Sequence, residues 1–89
     1  LNYTMFMSHK TLSQTEIKIL SRTLNLTEKE IKVIELICKE FSSPEIATKL
    51  ELSPRTVEGI RYKILQKTKS KNVVGIVKFA VKNKIYIIK

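Results

Sequence analysis

Two Ser-Pro pairs stand ten residues apart, at Ser43-Pro44 and Ser53-Pro54, and they constrain this chain more than any other feature. Serine followed by proline marks a helix start: the serine oxygen caps an orphan amide, and proline at the first helical position loses no hydrogen bond and arrives with its φ already set. Ser43 then caps a short helix over 44–50, with Ile46, Ala47 and Leu50 on its buried face and Glu45 in the first turn, where the helix dipole favours an anion. The second pair comes only three residues after Leu50, so the short helix must turn sharply into its successor. That successor carries Val57, Ile60, Ile64 and Thr68 inward and leaves Arg55, Glu58, Gly59, Tyr62, Lys63 and Gln66 facing out. Two helices joined by a tight turn, the second basic and polar outside, is the geometry that seats a helix in a DNA major groove. Short-turn helix pairs also occur in bundles that meet no DNA, so spacing alone leaves both readings open.

The remaining chain reads as helix as well, because apolar residues recur at three and four rather than two until the last few positions. Thr27-Glu28-Lys29-Glu30 is a capping box and predicts a helix of about 28–41 with Ile31, Ile34, Cys38 and Phe41 along one face and Val33 and Ile37 beside it. Cys38 lies inside that stripe and is expected in the core. Ser13-Gln14-Thr15-Glu16 is a second box, opening an accessory or linker helix over 13–24 with Ile17, Leu20 and Leu24 at helical spacing. The similarity of 12–20 to 26–34 is read as shared capping grammar rather than a structural repeat. Residues 1–12 are expected to be a flexible leader. At the other end Asn72 caps a helix of about 73–83 that is apolar almost all round, with Lys78 and Lys82 its polar edge. Either a second copy of the chain covers its extra apolar face, or the tail Ile85-Tyr86-Ile87-Ile88 folds back over it.

Composition then excludes several function classes. The 89 residues include one cysteine, one histidine (His9) and no aspartate, which leaves a disulfide framework, a His-Cys metal cage, a Ser-His-Asp triad and aspartyl-phosphate chemistry without their parts. No enzyme, cofactor or metal is expected. No apolar run approaches the roughly 18 residues of a spanning helix, and no secretory signal opens the chain, so a cytoplasmic protein is expected. It begins at Leu1, which suggests a processed chain or a fragment of something longer. The net charge of +9 is unevenly placed: residues 1–54 balance seven basic groups with seven glutamates, whereas 55–89 set ten basic groups against Glu58 alone. Such a concentration suits a polyanion-binding surface, and equally a solubilising lysine-rich one.

From Leu26 to about Ile88 the chain resembles the LuxR/GerE-type helix-turn-helix output domain of bacterial transcription regulators. The residues that carry the likeness are Leu26-Thr27 with Glu30, Glu45-Ile46-Ala47, Leu52-Ser53, Thr56-Val57, and Ile64 with Lys67; Ser53 to Gly59 followed by Arg61 looks most like response-regulator outputs. The sequence departs from the family at Ile60, Thr68, Ser70 and Val73, the last where an arginine commonly precedes the fourth helix. Region 4 of sigma factors shares the early pattern, but its third helix usually carries arginine one place before Arg61, and it lacks the apolar fourth helix. The resemblance implies an all-α fold, a four-helix LuxR-type helix-turn-helix domain over 26–89, with an extra N-terminal linker helix within 1–25. It implies double-stranded DNA as partner, the third helix in the major groove and the fourth used for homodimerisation through residues such as Val73 and Val77. Thr56 would give its hydroxyl and backbone amide to a phosphate, and Arg55, Lys63 and Lys67 would neutralise flanking phosphates. Base edges would fall to Glu58, Gly59 and Tyr62, with Arg61 beside them: Glu58 accepting from cytosine, Gly59 permitting close approach, Tyr62 donating or packing on a thymine methyl. The competing expectation for Glu58 is an exposed carboxylate near the helix start, and for Tyr62 and Arg61 partial packing on the core. A receiver or sensor domain supplying the input would lie outside this chain. The alternative function is a basic amphipathic module, built from the fourth helix and the tail, for an acidic membrane or protein.

Overall fold

The computed structural model describes residues 11–87. The expectation for a leader therefore falls largely outside the described residues, as do His9 and Ile88. Five helices follow one another: α1 Gln14–Leu24, α2 Glu28–Cys38, α3 Ser43–Leu50, α4 Pro54–Thr68 and α5 Val73–Lys82. No strand occurs among the described residues. The all-α class is as expected, four helices of the helix-turn-helix domain preceded by one more.

Each start is set by a side chain. Ser13, Thr27 and Ser42 form reciprocal capping boxes with Glu16, Glu30 and Glu45, Ser53 caps the amide of Thr56, and Asn72 accepts from the amides of Val74 and Gly75. One expected cap is corrected: Ser42, not Ser43, opens α3, because only from Ser42 does the three-residue step reach Glu45, whose carboxylate accepts from the Ser42 amide at 2.8 Å. Pro44 then sits in the first turn, where its missing amide still costs nothing.

The helix ends share one device. Asn25, Glu40, Glu51, Lys69 and Lys84 all adopt the left-handed conformation, φ between 56° and 69°. At all five ends the following amide reaches back to a carbonyl one turn inside the helix: Leu26 to Ser21, Phe41 to Leu36, Leu52 to Ala47, Ser70 to Leu65 and Ile85 to Ala80. This device shortens α2, which was expected to run to about residue 41. Glu40 at φ 69° breaks the ladder after Cys38, and Phe41 turns back over the helix instead of extending it.

The core centres on α2, which packs against all four other helices. Ile31, Val33, Ile34, Ile37 and Cys38 are buried around much of its circumference, meeting Ile17 of α1, Ile46 and Ala47 of α3, Val57 and Ile64 of α4, and Ile76 and Ala80 of α5. Burying an isoleucine side chain stabilises a fold by about 1.5–3 kcal/mol, so this cluster supplies most of the driving force. The tail does fold back in part: Lys84 reverses the chain and Ile85 is buried against the core.

Two carboxylates are buried on α2, and each has a partner. Glu35 accepts from the Leu12 amide at 2.8 Å and lies 3.7 Å from Lys39, whose ammonium in turn holds the Thr11 hydroxyl. The entry to α1 is thereby fastened to the far end of α2. Glu30 accepts from Lys67 of α4 at 3.0 Å as well as from its own cap.

Candidate nucleic-acid interface

The turn from α3 to α4 is three residues long, Glu51 to Ser53. Glu51 reverses the chain in the left-handed conformation, the Leu52 amide bonds the Ala47 carbonyl at 2.8 Å, and Ser53 at once caps α4. Val57 and Ile64 pin α4 from beneath, both fully buried. What remains on its outer face is Arg55, Thr56, Glu58, Gly59, Tyr62, Lys63 and Gln66, all exposed. Arg55 and Lys63 make no ion pair among the described residues, so their charges face solvent unneutralised.

Three expected roles change in detail. The Thr56 amide donates to the Ser53 oxygen at 3.1 Å, and its hydroxyl lies 2.9 Å from that same oxygen, so its backbone donor is already engaged and the hydroxyl is what it can turn outward. Arg61 is half-buried at the margin of the Val57–Ile64 face, the partial packing that competed with base contact. Lys67 is directed to Glu30 at 3.0 Å, which makes it a strut between α4 and the start of α2 instead of a free phosphate contact. Tyr62 remains exposed, and its hydroxyl accepts from the Gln66 amide nitrogen at 3.2 Å.

Beyond α4 lies a basic recess that reading along the helices missed. Thr68, Lys69, Ser70, Lys71, Asn72, Val74, Gly75 and Lys78 line a concavity of about 520 Å³ at the α4–α5 corner. Lys69, Lys71 and Lys78 make no ion pair among the described residues. The signal was present in the charge asymmetry, but two of these lysines belong to a loop, where periodicity is silent.

On α5 the expected outward pair is half right. Val73 is exposed, but Val77 packs partly against the core, while Val74 and Val81 are the apolar residues left in solvent. Val77 directly follows the buried Ile76 and stands one turn before the buried Ala80, at the edge of the face that α5 turns to the core. Among the described residues of the tail, Ile85 is withdrawn from any amphipathic surface into the core, while Ile87 is exposed.

Elsewhere the chemistry is quiet. Burial, reinforced by the charge of Glu35, pushes the Cys38 thiol up to about 11, which leaves it protonated and inert. Cap hydrogen bonds from Ser42 hold the Glu45 carboxyl below its usual range. Among the described residues no three His, Cys, Asp or Glu side chains gather as metal ligands, and no helix is long and apolar enough to cross a membrane.

Comparison with known proteins agrees with this geometry. Residues 24–80 match the family described as bacterial regulatory proteins, luxR family. The chain is 37% identical over 60 residues to the oxygen regulatory protein NreC of Staphylococcus carnosus (strain TM300), an alignment covering 67% of this chain and 28% of that protein. It is 35% identical over 66 residues to the probable transcriptional regulator ycf29 of Porphyra purpurea, covering 74% of this chain and 32% of the relative. The ycf29 protein of Pyropia yezoensis is 32% identical over 73 residues, 82% and 33% of the two chains. The chain thus spans about a third or less of the length of these curated relatives. No solved structure gave a significant match.

Proposed function

The chain belongs to the luxR family of bacterial regulatory proteins, and from that membership we propose that it binds duplex DNA sequence-specifically as the output domain of a transcriptional regulator, with α4 laid in the major groove. The observation that carries the reading is the outer face of α4. A three-residue turn presents it, two fully buried residues hold it, and Arg55 and Lys63 have no acidic partner among the described residues. Arg55, Lys63 and the Thr56 hydroxyl meet phosphates beside the helix, and Lys69, Lys71 and Lys78 meet the backbone farther along at the α4–α5 corner. Glu58, Gly59 and Tyr62 face base edges, with Arg61 at their margin. None of this requires catalysis, a cofactor or a metal.

Two copies bind a two-fold site, meeting through the exposed valines of α5, chiefly Val74 and Val81 with Val73 beside them. A single helix face buries far less than the roughly 1,200 Å² of a stable interface, so the chain alone associates weakly and DNA supplies the proximity. The unit that reads DNA is 26–89; α1 with its Glu35 clamp is the connection to a receiver or sensor domain outside this chain, and the whole protein works in the cytoplasm. An acidic membrane or protein as partner is less well supported, because Ile85 is withdrawn into the core.

Selection of duplexes from a random library, followed by titration at several salt concentrations, tests the reading. A recovered site with palindromic half-sites is the expected result. Absence of duplex binding at low salt, even to the selected pool, refutes it.

A further inference from the structure

The chain has two glycines, and only one of them is explained from within. Gly75 lies in the first turn of α5, where an added Cβ would fall 2.8 Å from the Cβ of Ser70, so the α4–α5 loop rests on bare backbone. Gly59 lies mid-way along α4, and an added Cβ there would meet no heavy atom within 4 Å. Its φ is not positive either. Glycine is among the least favourable residues for a helix interior, and here neither packing nor backbone conformation asks for it.

Its neighbours on the helix surface are long. Arg55 and Glu58 stand on one side of it, Tyr62 and Lys63 on the other, all exposed, and Gln66 ties the Tyr62 hydroxyl along the helix axis. Gly59 is therefore the floor of a notch between larger side chains. That floor is apolar, because inside a helix the amide and carbonyl are spent on the backbone ladder and only the Cα hydrogens face outward. In the major groove the bases present donors, acceptors and a single kind of apolar group, the 5-methyl of thymine. A notch without a free donor or acceptor leaves a polar edge unsatisfied, but it accommodates a methyl group.

We propose that Gly59 is the seat of a thymine methyl, so that the missing side chain itself discriminates among bases. The inference rests on α4 being the helix that enters the groove, and it adds what that helix prefers there. A methyl group on the protein at this position and a methyl group on the base compete for one space, so removing either one relieves the other.

The test crosses Gly59→Ala with uracil replacing each thymine in turn in the duplex selected by the parent chain. For the parent, uracil at one position in each half-site should weaken binding about fourfold, the loss expected for one buried methyl. Gly59→Ala should melt roughly 4 to 8 °C higher, since alanine favours the helix. It should bind the thymine duplex roughly tenfold more weakly or worse, and recover most of that loss on the duplex carrying uracil at the same position. The idea is overturned if Gly59→Ala binds the thymine duplex as tightly as the parent, or if its loss is the same on every uracil-substituted duplex. Failure of the parent to select any duplex would instead overturn the DNA-binding reading, and the notch with it.

Discussion

Replacing Lys67 separates two roles that its position allows, strut and phosphate contact. The Lys67 ammonium lies 3.0 Å from a Glu30 carboxylate whose side chain is 4% exposed, while its own side chain is 41% exposed. In Lys67→Met the stem keeps its packing, but the carboxylate stays buried with the Thr27 amide, 2.8 Å away, as its remaining partner. Breaking one end of a fully buried pair costs about 3–5 kcal/mol. Here solvent reaches the lysine end, so the loss should be nearer that of one hydrogen bond to a charged group, about 2 kcal/mol. For a chain of this size that lowers the melting temperature by roughly 8 to 16 °C. Glu30→Gln keeps the capping box, since glutamine also accepts from the Thr27 amide. On that background Lys67→Met should cost less than about 0.5 kcal/mol, because no buried charge is then orphaned. Thermal melts of the four proteins complete the cycle. DNA titrations well below the melting point should show an unchanged salt slope, whereas a phosphate contact would take about 0.9 from it. A Lys67→Met protein as stable as the parent, or one equally destabilised with and without Glu30→Gln, would refute the strut.

Other consequences can be checked separately. Lys69→Gln, Lys71→Gln and Lys78→Gln together should lower the salt slope of DNA binding by about 2 to 3 with base preference unchanged, while removing three charges elsewhere (Lys18, Arg22 and Lys29) should leave it nearly intact; equal effects would mean that only net charge matters. Val74→Glu should keep the melting temperature and abolish cooperative binding to paired half-sites, whereas Val77→Glu should lower the melting temperature outright; sedimentation and melts together decide where the interface lies. Glu40→Gly should raise stability by about 1 kcal/mol, because glycine adopts the φ of 69° without the penalty of a side chain, and a lower melting temperature would contradict the end assigned to α2. With its thiol raised from 9.0 to about 11, native Cys38 should react with a disulfide reagent at pH 9 about 50-fold more slowly than the unfolded chain. Because the folded value is the raised one, its contribution to stability is complete below pH 9 and is lost as pH climbs toward 11; labelling at the rate of a free thiol would show that the side chain is not buried.

Helix order and most helix starts were legible because starts are written locally, as a capping serine or threonine with a glutamate three residues on. The one misplaced start illustrates the rule: Ser42 and Ser43 both precede Pro44, and Glu45 decides between them. Ends were harder, since the left-handed positions carry Asn, Glu and Lys in place of glycine, and nothing in Lys39-Glu40 announces a stop. The outer face of α4 was legible from its period, but the partner of Lys67 lies 37 residues away, beyond any periodic pattern. For α5 a helix apolar almost all round gives no wet side to orient it. Only the positions of α2, α4 and Ile85 decide that Val77 turns inward while Val74 and Val81 do not.

Because α2 touches every other helix, while the remaining contacts run only between α3 and α4 and between α4 and α5, α2 is the keystone on which the other four helices rest. α1 can detach from α2 without disturbing any other helix pair. α4 cannot leave without stripping three neighbours, and α2 cannot leave at all without dissolving the whole. Amide protons should therefore exchange with solvent in tiers, those of α1 first through local opening and those around Ile31, Ile34 and Ile37 only through complete unfolding. The surface offered to a duplex thus stands on the part of the molecule that opens last, and whatever pulls on α1 can work it loose while the reading helix stays in place.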